Sequence, residues 1–354
     1  MLGGITRKSW RELKAANEID PAFRGRAALL GLLAGFNGLA AGWEERKYGG
    51  RIAATEIKTP PLFLLGHWRS GTTWLHQLLC LDPQFGYVSS LQAIHPSTSL
   101  VTGRLFGGDG VRKRPMDNVL QGAGSPQEDE FAVATRSLVS PFLGFVFPRR
   151  ASFYDRFLNF DDGAPSEVDA WKKAMLTTVR KATMMAGGRP LVLKSPPHTA
   201  RIRLLLELFP DARFVHLHRN PFDVFRSNLA LNDTLAWHSY LQVPRPEDLV
   251  EAALRRYRLM FAAYFRDQPL IPAGRFFETS YAELVRHPVE TLDDLYRGLS
   301  LPGFAAFRPV LARHLAAQPS YGRREHAALP AELRDRIAAE AGGALHRWGY
   351  SAKN

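Results

Sequence analysis

The chain has 354 residues, 45% of them hydrophobic and 23% charged, enough apolar material to bury a full core and too much to stay disordered. Basic residues exceed acidic ones by 46 − 34 = 12, which favours a phosphate-bearing small molecule, nucleic acid or an acidic membrane as partner. The single cysteine, Cys80, excludes an internal disulfide and a cysteine-built zinc site, and suits a reducing, cytoplasmic compartment.

Residues 1–58 read as a helical N-terminal extension, and 59–354 as one α/β domain. Within the extension, Ala27–Ala41 carries no charge, yet it is only 15 residues long. A spanning helix needs about 20. Glu12, Glu18 and Asp20 precede the run, which fits a secretory signal poorly. Arg24, Arg26, Trp43, Arg46 and Lys47 flank it. Two readings stay open: a buried helix, or one docked on anionic lipid at the inner face of a membrane or lining an acceptor site. Pro60-Pro61 ends the extension. Leu62–Leu65 then predicts a buried strand, and Trp74–Leu81 a helix. Gly103–Gly124, rich in glycine and basic residues, reads as loop or lid. A helix over 169–185 precedes a strand at Leu191–Leu193, which runs into Lys194-Ser195-Pro196-Pro197. Helix Ile202–Phe209, strand Arg213–His218 and a helix opened by Asn220-Pro221 follow. Helix Leu249–Phe265, strand Arg275–Thr279, and helices Pro288–Leu299 and Ala331–Ala341 complete the series. Strands alternating with helices imply an α/β fold: a P-loop-like open parallel sheet flanked by helices.

The segment Gly66-His67-Trp68-Arg69-Ser70-Gly71-Thr72-Thr73-Trp74 joins a strand to a helix. Such a junction offers unpaired N–H groups and the positive end of the helix dipole to an oxyanion. Ser70, Thr72 and Thr73 add hydroxyls, and Arg69 adds a planar cation. Against the nucleotide-triphosphate pattern G-x-x-x-x-G-K-[ST], Gly66, Gly71 and Thr73 match, but Thr72 stands in place of lysine. The basic residue has moved to Arg69. The loop therefore fits a nucleotide without a γ-phosphate.

The run RSGTTW, behind a strand and Gly66-His67, resembles the 5′-phosphosulfate loop of sulfotransferases that use 3′-phosphoadenosine 5′-phosphosulfate (PAPS), in the bacterial-type branch. Trp74 matches the aromatic residue that stacks on adenine in cytosolic members, whereas Trp68 replaces a common proline. A second segment, Arg219-Asn220-Pro221-Phe222-Asp223 through Ser227, matches every fixed position of the family's 3′-phosphate motif R-[ND]-P-x-[DE]-x-x-x-S. The resemblance further implies Tyr281 near the adenine, and Gly322 with Arg323 in the late basic segment over the 3′-phosphate. It spans about residues 60 to 326 and leaves 1–58 and 95–170 unexplained.

What this implies is transfer of a sulfuryl group from PAPS to a hydroxyl, or less readily an amine, by positioning and charge stabilisation. Arg69 serves the leaving phosphate, and Lys194 resembles the family's strand-end lysine. The base stays open. The histidine that cytosolic members carry two residues after the lysine is Pro196 here. His198 lies four residues after it, and imidazole accepts protons near neutral pH. Pro126-Gln127-Glu128-Asp129-Glu130-Phe131 resembles an acidic run of bacterial relatives, with Glu128 or Glu130 as base; it also reads as a helix start. His95 is a lesser candidate. No metal site is indicated: His216 and His218 share a strand face without a third ligand and read as core or cleft residues. The apolar early helix, Phe142–Phe147 and the many aromatic residues point to a lipid, glycolipid or other hydrophobic acceptor; a carbohydrate or small metabolite stays open, and no nucleic acid is expected. The rival functions are a kinase with a degenerate loop, which magnesium-dependent turnover would reveal, and a non-catalytic binder of membrane or nucleic acid, which salt-sensitive binding without transfer would reveal.

Overall fold

The computed structural model describes residues 1–106, 108, 110, 112–113, 120–234, 239–317 and 329–351. Its main sheet has five strands, in the order β2 (Gly86–Tyr87), β5 (Leu191–Lys194), β1 (Leu62–Leu65), β6 (Arg213–His218) and β7 (Phe276–Ser280). The chain divides into two compact units: Met1–Thr59, Gly86–Leu191 and Leu231–Ala252 form one, and Pro60–Phe85, Val192–Ala230 and Ala253–Asn354 the other.

The first unit opens with α1 (Arg7–Ala16) and the 30-residue α2 (Arg24–Ala53). Thr6 caps α1 by accepting from the Ser9 N–H, and Trp10 and Leu13 form its buried face. Helix α2 is buried along Ala34, Asn37, Ala40 and Glu44, not along its leucines. The Asn37 amide donates to the Gly3 and Ile5 carbonyls at 2.8 and 3.1 Å. Glu44 pairs with the buried Lys181, whose ammonium also donates to the Pro96 carbonyl at 2.7 Å. Burial brings the Lys181 pKa down to about 8, against the pull of Glu44. The buried reading of the 27–41 run therefore does not hold for its large side chains: Leu29, Leu32, Phe36 and Leu39 are exposed. No helix of the described residues is long and apolar enough to cross a membrane.

The same unit holds β2 (Gly86–Tyr87), α4 (Ser90–Ile94) and α5 (Ser99–Phe106). A two-strand ladder, β3 (Arg112–Lys113) with β4 (Leu120–Gln121), lies inside the stretch expected to be loop, which also contains the end of α5. Next come α6 (Glu130–Ser137), α7 (Ala151–Asp155) and α8 (Pro165–Met185). The Gly86 N–H donates to the Pro190 carbonyl at 2.8 Å, which holds β2 to the segment entering β5.

The second unit is built on β1 (Leu62–Leu65), β5 (Leu191–Lys194), β6 (Arg213–His218) and β7 (Phe276–Ser280). These strands run parallel, with Leu62 beside Val192, Leu65 beside His216 and His218 beside Ser280. Every residue of β1 and β5 is buried, as their unbroken apolar runs require of strands covered on both faces. The helices of this unit are α3 (Thr72–Leu79), α9 (Ile202–Leu208), most of α10 (Pro221–Thr234) and of α11 (Pro246–Asp267), α12 (Tyr281–Arg286), α13 (Pro288–Gly298), α14 (Phe304–Ala317), α15 (Ala331–Glu340) and α16 (Gly342–Trp348). Leucines of α3, α13 and α14 close one core cluster over the sheet.

His216 and His218 are structural members of this unit. His216 Nδ1 lies 2.8 Å from a Glu278 oxygen that also accepts from the Tyr264 hydroxyl at 2.6 Å. His218 stacks on Trp348 and bonds the Tyr350 hydroxyl at 2.7 Å. Burial holds His216 neutral, so it meets Glu278 as an N–H donor. Burial alone raises Glu278; the hydrogen bonds from His216 and Tyr264 outweigh it and hold the carboxyl below its usual range. Burial also brings both His67 and His218 down to about 4.

These groups make the fold acid-sensitive. A histidine whose folded pKa lies below its unfolded value contributes fully above about pH 6.5 and loses that contribution as the pH falls through the folded value. For the fully buried His67 the loss is on the order of 3 kcal/mol by about pH 4. Glu278 adds a further loss below the ordinary carboxyl range. Thermal melts from about pH 7 down to about pH 4 are expected to show a steady fall in Tm; a flat profile would contradict neutral, buried histidines.

Candidate active site

The carboxyl ends of β1, β5, β6 and β7 lie side by side in the second unit, and the sequence-predicted binding residues gather there. Helix α3 begins at Thr72, two residues before the expected Trp74, so the Thr72 and Thr73 amides belong to its first turn. The loop between β1 and α3 needs both of its glycines. Gly66 has φ +146°, and a Cβ there would come within 2.7 Å of the Leu217 carbonyl; its N–H donates to Thr199 Oγ1 at 2.7 Å. Gly71 has φ +99°, and a Cβ there would run into the Tyr281 ring.

Arg69 adopts φ +69°, a left-handed conformation that a side chain resists. Its Nε donates to Ser227 Oγ at 2.9 Å, which ties the loop to α10. Its carbonyl accepts from Arg219 Nη1 at 3.1 Å. The Arg219 guanidinium lies 4.5 Å over the Tyr281 ring, with Asp223 3.8 Å from its Nε. The two predicted anion-binding segments, 150 residues apart in the chain, are thus one surface.

Lys194, the last residue of β5, is buried along its stem and donates from Nζ to Thr73 Oγ1 at 3.2 Å. A lysine from a neighbouring strand thus reaches the loop in which Thr72 stands where the triphosphate pattern has lysine. Among the described residues, buried Ser70 Oγ has no hydrogen-bond partner. Trp74 is buried in the core cluster of α3 with Leu75 and Leu78. His198 is fully buried, with its ring edge on Phe63 at 5.2 Å.

Glu128 belongs to the first unit, where it is half-buried and its N–H donates to Gln127 Oε1 at 3.0 Å. Glu130 is fully buried and accepts from the Ser140 hydroxyl at 2.6 Å. Gly322 and Arg323 lie outside the described residues. Sequence reading missed Thr199, which carries no motif signal, and gave Asp223 no task, although it stands at a fixed position of the 219–227 pattern.

Three cations, a helix start and a buried hydroxyl without a partner among the described residues come together at the carboxyl ends of the strands, an arrangement whose chemistry suits anionic groups. The buried Ser70 oxygen, without a partner among the described residues, and the cations Arg69, Lys194 and Arg219 fit PAPS, which carries a phosphosulfate and a separate 3′-phosphate.

A family model described as "Sulfotransferase family" matches residues 60–306. The omega-hydroxy-beta-dihydromenaquinone-9 sulfotransferase Stf3 of Mycobacterium bovis is 32% identical over 327 residues, covering 92% of this chain and 84% of that protein. Among solved structures, the chain is similar to sulfotransferase STF1 from Mycobacterium tuberculosis H37Rv, with TM-score 0.67, 18% identity, and 95% and 94% of the two chains covered. It is also similar to sulfotransferase STF9 from Mycobacterium avium, with TM-score 0.65, 21% identity, and 97% and 92% covered. These two likenesses bear on the fold.

Proposed function

Since the chain belongs to the sulfotransferase family, whose members draw the sulfuryl group from PAPS, we propose that it sulfates the hydroxyl of a hydrophobic, lipid-class alcohol. The observation that carries this reading is the relative named for an omega-hydroxylated menaquinone, aligned with this chain over 92% of its length. Aromatic side chains beside Glu128 support it: Phe131 packs on Phe142 at 5.0 Å, and Phe142 on Phe145 at 6.1 Å. The single cysteine, Cys80, supports a cytoplasmic site for the reaction.

We assign the residues as follows. Arg219, backed by Asp223 and the Tyr281 ring, holds the 3′-phosphate. Arg69, Ser70 and the first-turn amides of α3 hold the 5′ end, with Ser227 fixing Arg69. Bound PAPS supplies an activated sulfuryl group and a phosphate leaving group. Lys194 offsets the negative charge that grows on the leaving oxygen. Glu128 takes the proton of the acceptor hydroxyl, since Glu130 is already engaged by Ser140 and His198 is enclosed in the core.

The test is transfer from labelled PAPS into separated lipid and glycan extracts. Label is expected in the organic phase, and Glu128→Gln is expected to lower turnover roughly 10²- to 10⁴-fold, the usual worth of a general base. Label confined to aqueous glycans would overturn the acceptor assignment. Wild-type turnover by the variant would remove Glu128 as base.

A further inference from the structure

Helix α2 carries an apolar face that stays largely exposed among the described residues. Leu29, Leu32, Phe36, Leu39 and Trp43 are all exposed, Leu32 and Leu39 at 76% and 81%. Their spacing of three and four residues recurs along the helix, so at about 100° per residue they fall within an arc of about 80°. A separate side of α2, centred roughly 115° round the helix from the stripe, is the one buried in its own unit, through Ala34, Asn37, Ala40 and Glu44. At 30 residues the helix is about 45 Å long. It can therefore lie along a surface with the whole stripe facing out.

The charges around the stripe identify the surface. Arg46 and Lys47 border it on either side at its C-terminal end, and Lys47 lies 5.7 Å from the Trp43 ring. Glu45 points away, roughly 160° from the centre of the stripe. Beside the stripe, α1 and α2 enclose an open groove of about 820 Å³ whose lining includes Arg7, Lys8, Arg11, Gly35, Gly38 and Leu39, with Glu12 as its acidic member. An apolar ridge, a Trp–Lys pair at its end and a cationic groove alongside form the pattern of a helix seated at the boundary of headgroups and acyl chains. A second copy paired through this face would bring cations against cations, with no acidic residue in the stripe to offset them.

We propose that the α2 stripe and the basic groove dock this protein peripherally on a bilayer rich in anionic phospholipid. The apolar side chains enter the acyl boundary, and Arg7, Lys8, Arg11, Arg46 and Lys47 meet the lipid phosphates. The inference does not depend on the identity of the acceptor.

The full chain is sedimented with vesicles of equal parts phosphatidylglycerol and phosphatidylcholine, and with vesicles of phosphatidylcholine alone. Binding to the first, weakened by added salt, and little to the second is expected. The double variant Leu32→Glu/Leu39→Glu is expected to lower vesicle affinity roughly tenfold or more, because two apolar insertions are lost and two anions introduced. Arg7→Glu/Lys8→Glu/Arg11→Glu should do the same by charge alone. Both variants change exposed side chains, and both should keep wild-type affinity for adenosine 3′,5′-bisphosphate, which reports an intact fold. Equal binding to both vesicle types, or unchanged binding by either variant, would overturn the proposal. So would a dimer in analytical ultracentrifugation that ignores vesicles and is split by Leu32→Glu/Leu39→Glu, since a second copy would then cover the face.

Discussion

Arg219→Ala is expected to weaken binding of adenosine 3′,5′-bisphosphate roughly 10- to 100-fold, the worth of one charge-assisted phosphate contact of about 1.5–3 kcal/mol. Arg69→Ala should also weaken it, but for two reasons that a further variant separates. Arg69 sits at φ +69°, so alanine there keeps the backbone strain while losing the guanidinium and its bond to Ser227. Arg69→Gly relieves the strain and loses the same charge, so any affinity it fails to recover belongs to the guanidinium. The two arginines share a hydrogen bond through the Arg69 carbonyl, and Ser227 lies on the helix that follows Arg219. Their effects should therefore be non-additive in a double-mutant cycle. Calorimetric titration measures all of this. Normal binding by either alanine variant would remove that residue from the nucleotide site.

Lys194→Met is expected to act on turnover instead. Methionine keeps the buried, unbranched stem and deletes the charge, so the local packing changes little. Removal of a donor aimed at developing charge lowers kcat roughly 10²- to 10³-fold. Affinity for adenosine 3′,5′-bisphosphate should stay within a few-fold of wild type, because the loop amides, Arg69 and Arg219 remain. A variant that binds poorly yet turns over normally when saturated would make Lys194 a binding residue only.

Strand β1, strand β6 and the helix starts after them could be read from residues alone, because a doubly covered parallel strand is a run of apolar side chains and each βα turn carries its own local chemistry. The same holds for the loop glycines: Gly66 and Gly71 are required where the backbone itself takes a positive φ. Helix α4 and the two-residue strand β2 escaped, since their lengths give no period to detect and neighbouring segments hold them in place.

Local pattern names the atoms that can bind an anion and distinguishes one helix face from another; it does not say which face is covered or which cation reaches which hydroxyl. Leu32 and Ala34 sit two residues apart in one apolar run, yet the leucine is solvated and the alanine buried, because α1 packs closely only against small residues. Likewise Lys194 meets Thr73 and Arg219 meets the Arg69 carbonyl only because β5, β1 and β6 pair in a particular register, which aligns three chain-distant turns at one edge. Composition and motifs specified the chemistry of this protein; its geometry came from long-range pairing, whose energy no short window of residues contains.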